Sequence, residues 1–224
     1  MTPSSSELVA RLRKIDCCAV SDALDQLKLG GVVTGLFSQG SGTGRIAGRA
    51  LTVKLGVGAP KAGPPKHLGA TAIELGGPDD VIVIEQRSGV EAGSWGGLLS
   101  LGAKVKGIAG VVSHGPVRDI DQAIEIGFPV FASATTSRTA RGRIVEIGTN
   151  LAVTIGDVAV APGDFVVADR SAVIFIAAAD IERVLAAAER IAAKEDAMAK
   201  DIRAGTPIGT VMGASYEHML KSTP

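Results

Sequence analysis

Between Gly93 and Asp119 the chain reads GSWGGLLSLGAKVKGIAGVVSHGPVRD. A glycine-rich turn around Trp95 leads into helical spacing from Leu98 to Lys106. A short apolar run follows from Ile108 to Ser113, and the stretch closes on a Gly-Pro turn carrying Arg118 and Asp119. The order is turn, helix, strand, turn. The first backbone N–H groups of a helix have no partner within it, and the helix dipole favours negative charge there, so such a start can hold an anion. The second turn sets a guanidinium beside a carboxylate at a strand end. Taken alone, these residues outline a chemical site, but in an arbitrary α/β chain a glycine-rich connection next to a surface ion pair is the favoured reading.

The residues available for other chemistries are few. Cys17 and Cys18 are adjacent, a spacing that rarely gives a relaxed disulfide, and no second cysteine pair completes a zinc site. They read as small, partly buried thiols. With only His67, His114 and His218, a metal site has to draw on carboxylate oxygens, which favours a hard ion such as Mg²⁺ or Mn²⁺. The 23 basic and 23 acidic side chains cancel, which argues against a nucleic-acid binder and against attraction to an anionic membrane. No apolar run approaches the roughly 20 residues of a spanning helix. The N-terminal MTPSSSELVARLRK has no signal-like apolar core, so a cytoplasmic location is expected.

These residues have to be positioned by an α/β framework, read as one domain over 1–224. Ser4 to Ser6 can cap a first helix with Leu8, Leu12 and Ile15 on one face, and a second helix is expected over Val20 to Leu29 with Ser21 as its cap. Together they make a helical N-terminal segment, 4–29. Gly30 to Gly44 reads as a loop. Its continuation, Gly42 to Gly48, mimics a dinucleotide fingerprint, but the spacing is wrong and Ala50 to Leu55 looks like a strand, which rejects a Rossmann reading. Pro64-Pro65 precedes helical spacing from Lys66 to Leu75. Val81 to Ile84 has the look of a buried strand. Ile120 to Ile126 predicts a short helix, and Pro129 to Ala132 a strand.

From Arg143 the pattern changes to short β-rich runs, at 143–147, 151–155, 158–160, 165–168 and 172–176, separated by Gly, Asn, Pro and Asp turns. They predict a meander or small barrel-like layer, not another βαβ repeat. Asp180 is placed to cap a long helix, 181–203, with Ile181, Val184, Leu185, Ala188, Ile191 and Ala192 on its apolar face, ending at Gly205. The tail, 206–224, is short. The 29 glycines and 3% aromatic residues imply many tight turns around an Ala/Val/Ile/Leu core.

Gly97, twenty intervening residues and then Arg118-Asp119 resembles the signature of class II pyruvate aldolases. Those enzymes cleave 4-hydroxy-4-methyl-2-oxoglutarate and 4-carboxy-4-hydroxy-2-oxoadipate, and share their fold with the regulator of ribonuclease activity A (RraA). The similarity extends through SDAL (21–24), WGGLLSL (95–101) and VAVAPGDFVVAD (158–169), and covers about Val20 to Gly205. It implies a swivelling β/β/α fold and a homotrimer or hexamer with the site at a subunit boundary.

It also implies a metal-dependent lyase acting on a small 2-oxo acid. Mg²⁺ or Mn²⁺ would be bound by Asp119, Arg118 would contact the keto and enolate oxygen, and the N–H groups of Gly97, Leu98 and Leu99 would hold the pyruvate carboxylate. Glu195 resembles a glutamate that relatives lend to the neighbouring site, and in its plain reading is a solvated helix residue.

Three positions depart from the family pattern. Gln122 stands where the signature has an acid, Gly97 where many members have a glutamate, and His114 where many have an aspartate. Arg138, Arg141 and Arg143 form a basic cluster that either meets a distal substrate carboxylate or is simply solvated. The competing expectation is a non-catalytic protein like RraA, which binds ribonuclease E; RraA lacks the acid corresponding to Asp119, so its presence favours the enzyme. A related 2-oxo-acid or sugar-acid lyase is the third. Some relatives are labelled demethylmenaquinone methyltransferases, but Glu74-Leu-Gly76-Gly77 is too slight a motif to hold S-adenosylmethionine.

Overall fold

The computed structural model describes residues 3–40, 44–59 and 66–213. In chain order they form α1 (Ser5–Leu12), α2 (Cys17–Leu27), β1 (Val32–Val33), β2 (Phe37–Ser38), β3 (Ile46–Gly56), α3 (Ala70–Leu75), β4 (Asp80–Gln86), α4 (Gly97–Val105) and β5 (Gly110–Val117). Then come α5 (Ile120–Glu125), β6 (Val130–Thr135), β7 (Val145–Thr149), β8 (Val153–Ile155), β9 (Val158–Val160), β10 (Phe165–Ala168), β11 (Val173–Ile176), α6 (Ile181–Arg203) and α7 (Ile208–Val211).

Strands β3, β4, β5 and β6 run parallel in sequence order. Each is joined to the next through one of α3, α4 and α5, the arrangement that parallel pairing demands. Their apolar residues alternate between two faces. Leu51, Val53, Leu55, Ile82, Ile84 and Val111 face the core that includes Ala72, Ala103 and Ala123 of α3, α4 and α5. Ala50, Val81, Val83 and Val112 face the opposite way, onto Val153, Ile155 and Val160 of the β8–β9 hairpin. On the helical face, α1, α2 and α6 pack on Ala47, Phe165, Val167, Ile174 and Ile176. The layers are therefore hairpin, large sheet and helices, an α/β fold with a β-rich C-terminal half.

The large sheet has nine strands. The late strands were expected to form a layer of their own, and only β8 and β9 do. β10 and β11 join the parallel strands because β3, eleven residues long, pairs β10 along Ile46–Arg49 and β7 along Val53–Gly56. The loop expected over Gly30 to Gly44 contains the two-residue strands β1 and β2, which close the two ends of the sheet.

At the N-terminus, α1 carries the expected cap at Ser4, as a capping box with Glu7. α2 starts earlier than expected, at Cys17, and its cap is Asp16, whose carboxylate accepts the Ala19 N–H at 2.9 Å; Ser21 lies inside the helix. α3 starts at Ala70 after a left-handed Gly69, with Lys66 ahead of it. Pro64-Pro65, part of the Gly42–Gly48 motif, most of the tail and His218 lie outside the described residues. α6 has the expected bounds, but Asp180 does not cap it: its carboxylate binds the Arg183 guanidinium.

Candidate active site

The turn 93–97 and the end of β5 are laced together. The Arg118 N–H donates to Trp95 O (2.9 Å), the Ser94 N–H to Pro116 O (2.8 Å), and the Gly93 N–H to Arg138 O (2.9 Å). Ser94 Oγ adds a buried bond to Ser113 Oγ (2.7 Å). Trp95 Nε1 donates to Ser100 Oγ (2.9 Å), pinning the ring to the first turn of α4. Two glycines make room for the pair. A Cβ on Gly93 would sit 3.0 Å from Arg118 Cγ and Cδ, and one on Gly96 2.9 Å from Asp119 Oδ2. Any side chain there would displace the guanidinium or the carboxylate.

Asp119 itself is left-handed (φ 56°). It occupies the N-cap position of α5, yet its side chain does not cap that helix. Oδ2 instead accepts the Gly97 N–H (3.2 Å) at the start of α4, and Oδ1 accepts from Arg118 Nε (3.2 Å). One of the three N–H groups proposed for a substrate carboxylate is thus engaged by Asp119. Those of Leu98 and Leu99 lie in the first turn, where the helix supplies no acceptor.

These groups line a cleft of about 1040 Å³, at the carboxyl ends of β3 and β5, where open α/β sheets commonly bind ligands. Gly97, Leu98, Leu99, Arg118 and Asp119 all border it. The opposite wall brings residues that the sequence did not single out. Lys66 is bound to Glu74 Oε2 (2.6 Å). His67 Nδ1 lies 2.9 Å from Leu68 O, which can only accept, so Nδ1 is the donor of this bond. Glu146 accepts from the Gly69 N–H (2.8 Å) and the Thr149 hydroxyl (2.6 Å). No signal in the sequence ties the segment 66–68 or Glu146 to the Arg-Asp turn, because only the crossing of β7 over the end of β3 brings them near.

The basic cluster divides. Arg141 and Arg143 line the cleft, whereas Arg138 lies outside it in an ion pair with Glu91 (3.2 Å). His114 also lies elsewhere, in a shallow depression beside Gln86. Its Nδ1 accepts the Gly156 N–H (3.1 Å) and so steadies the β8–β9 turn. Glu195 is not part of this chain's cleft. It sits on α6, where burial, followed by the charges of Asp16, Asp22 and Asp196, raises its pKa above the ordinary glutamate value.

Among the described residues no group of three or more His, Cys, Asp and Glu side chains gathers to hold a metal ion. The donor set still fits Mg²⁺ or Mn²⁺ of the kind held by one or two carboxylates with water and substrate oxygens, with Asp119 as the carboxylate from this chain.

Comparison with known proteins agrees with this fold. The family model described as RraA-like, Aldolase/RraA, matches residues 17–175. A provisionally named 4-hydroxy-4-methyl-2-oxoglutarate aldolase of Halalkalibacterium halodurans is 30% identical over 162 residues, 71% of each chain. Protein DlpA of Legionella pneumophila is 28% identical over 155 residues, 68% of this chain, which spans only about a quarter (25%) of DlpA. Among solved structures, an uncharacterized protein of Pseudomonas syringae superimposes with a TM-score of 0.83 at 25% identity, covering 95% of this chain and 100% of that one. RraAS2 of Streptomyces coelicolor, described as an unusual member of the RNase ES inhibitor RraA family, gives 0.74 at 23% identity, covering 88% and 97%. The chain belongs to the RraA-like aldolase family. That family contains both class II aldolases and RraA regulators.

Proposed function

We propose that the chain is a divalent-metal-dependent carbon–carbon lyase that cleaves 4-hydroxy-4-methyl-2-oxoglutarate-type 2-oxo acids to pyruvate and decarboxylates oxaloacetate through the same enolate. One observation carries this reading: Arg118 and Asp119 are locked against the open first turn of α4, inside the cleft. The bound ion would supply Lewis-acid polarisation of the 2-oxo group. The Leu98 and Leu99 N–H groups would receive the C1 carboxylate, and Arg118 would face the C2 oxygen, where charge develops. When the C3–C4 bond breaks, its electron pair passes to the C2 oxygen as pyruvate enolate, which Arg118 stabilises. In the aldol case the C4 hydroxyl loses its proton and C4 leaves as a ketone; with oxaloacetate, C4 leaves as CO₂. Protonation at C3 then gives pyruvate.

Arg141 and Arg143 suit the far carboxylate of such substrates. Glu195, with its raised carboxyl, suits proton transfer, and would reach a cleft in an assembly where α6 of one copy lies over the next. The neutral Gln122 weights the balance toward decarboxylation, which has no hydroxyl proton to remove.

Asp119→Asn tests the reading. Asparagine tolerates the left-handed backbone, so the fold should persist while metal-dependent pyruvate release falls by roughly 100-fold or more. Full activity in this variant would remove Asp119 from the metal site.

A further inference from the structure

Aldol cleavage removes a proton from the C4 hydroxyl, and the Arg118–Asp119 end of the cleft supplies no free base for it. Asp119 is the proposed metal ligand and is tied to the Gly97 N–H and to Arg118. Gln122 is an amide, which is no base at neutral pH. Glu195 does not line this chain's cleft. On the opposite wall, Lys66 is held by Glu74 (2.6 Å). Both oxygens of Glu146 are engaged, one by the Gly69 N–H (2.8 Å) and one by the Thr149 hydroxyl (2.6 Å). Arg141 and Arg143 keep their protons at any working pH. His67 remains, and imidazole is the side chain that exchanges a proton most readily near neutrality.

The turn that carries His67 is built to face the substrate. His67 O accepts the Ala70 N–H (3.1 Å), which closes the turn. Gly69 within it is left-handed (φ 80°), and a Cβ there would lie 3.2 Å from the Trp95 ring and 3.6 Å from Leu99 Cδ1. One side of the turn is thus pressed against the start of α4, where the C1 carboxylate is proposed to sit. The other side is tied through the Gly69 N–H to Glu146, on the wall that carries Arg141 and Arg143, proposed for the far carboxylate. His67 is exposed and lines the cleft between these two ends, as the C4 hydroxyl must. Its Nδ1 donates to Leu68 O, so Nε2, which has no hydrogen-bond partner among the described residues, is the nitrogen left to meet a substrate.

Resting on the proposed lyase reading, we infer that His67 is a catalytic residue, the base that takes the C4 hydroxyl proton. The O–H bond breaks as the proton passes to Nε2, C4 becomes a ketone, and the C3–C4 electron pair moves to the C2 oxygen as enolate. The imidazolium releases its proton to solvent, from which C3 of the enolate takes one. Decarboxylation of oxaloacetate has no hydroxyl proton and does not call on the ring.

The test compares the unaltered protein with His67→Gln and His67→Ala, each checked for retained fold by circular dichroism. Pyruvate release from 4-hydroxy-4-methyl-2-oxoglutarate and from oxaloacetate is measured with Mg²⁺, and Mn²⁺ affinity by calorimetry. Both variants should lower the ratio of aldol to decarboxylase turnover by roughly 100-fold. Added imidazole should recover about tenfold or more of the aldol turnover of His67→Ala, and none in His67→Gln, where the amide fills the place of the ring. Mn²⁺ affinity should stay within about threefold, since the ring is a base and not a ligand. An unchanged ratio, equal losses on both substrates, failure of imidazole to rescue His67→Ala, or loss of Mn²⁺ binding would overturn the inference. An unaltered protein that decarboxylates oxaloacetate but leaves the aldol substrate intact would overturn it too, while the enolate reading stands. Inactivity of the unaltered protein on both substrates would overturn the lyase reading and this inference with it.

Discussion

Asp119 carries a local cost that its own helix does not recover. A non-glycine residue in the left-handed region costs on the order of 1–3 kcal/mol, and here the carboxylate caps α4 rather than α5. Strain of this kind gathers where side chains must be held for use, the role proposed for Arg118 and Asp119. Arg118→Ala should lower kcat for pyruvate release by roughly 100-fold or more with a smaller change in KM, because in the proposed reaction the guanidinium would face charge that develops only in the transition state. Arg141→Ala should do the reverse, raising KM for the dicarboxylate with kcat little changed. Steady-state kinetics of the two variants separate the roles, and an Arg118→Ala defect confined to KM would contradict the assignment. The Arg118-Asp119 pair could be read from sequence because the two residues are neighbours on one turn. The approach of Gln122 to Gly97, where an added Cβ would lie 2.8 Å from Gln122 Cδ, could not, since it depends on how α4 packs beside α5. The same holds for His67 and Glu146, which meet the pair only across the cleft.

At the level of elements, helices with strong periodicity were legible. α6 has its expected bounds because apolar residues recur at helical spacing between Asp180 and Gly205. α2 was misplaced at its start because Asp16 outcompetes Ser21 as a cap, a choice settled by burial of Cys17 and Val20. The short late strands were legible as strands, but their partners were not, since only the unusual length of β3 lets β7 and β10 share one edge. α6 also carries a testable electrostatic feature. Burial, and then Asp16, Asp22 and Asp196, raise the Glu195 pKa above its ordinary 4.5, so the folded state disfavours the ionised form. The penalty is present above the folded pKa and vanishes below 4.5. Glu195→Gln should therefore raise the melting temperature by about 1–3 °C at neutral pH, with the gain disappearing as pH falls below the glutamate range. Thermal melts from neutral to acidic pH check this; an equal gain at all pH values would assign it to packing instead.

Across the whole molecule, the surface of α4 is inverted. Its buried residues are the small Gly97, Ser100 and Ala103, while Leu98 (83% exposed), Leu101 and Val105 (80% exposed) form an apolar stripe facing outward. No helix among the described residues is long and apolar enough to cross a membrane. An exposed stripe beginning at the cleft itself suits a subunit contact, as expected of a family whose members are oligomeric. Paired Leu101→Glu and Val105→Glu changes should shift size-exclusion elution from oligomer to monomer and lower turnover by roughly tenfold or more. A protein already monomeric and fully active would contradict a site built at a subunit boundary.

The central claim, an enolate-forming lyase that works with a divalent ion, is tested most directly by measuring pyruvate release. Oxaloacetate and 4-hydroxy-4-methyl-2-oxoglutarate would each be supplied with Mg²⁺ or Mn²⁺ and then with EDTA, after subtracting the metal-only blank for oxaloacetate. Turnover that EDTA abolishes and restored metal recovers is the expected result. No release from either substrate, or release indifferent to EDTA, would contradict the account.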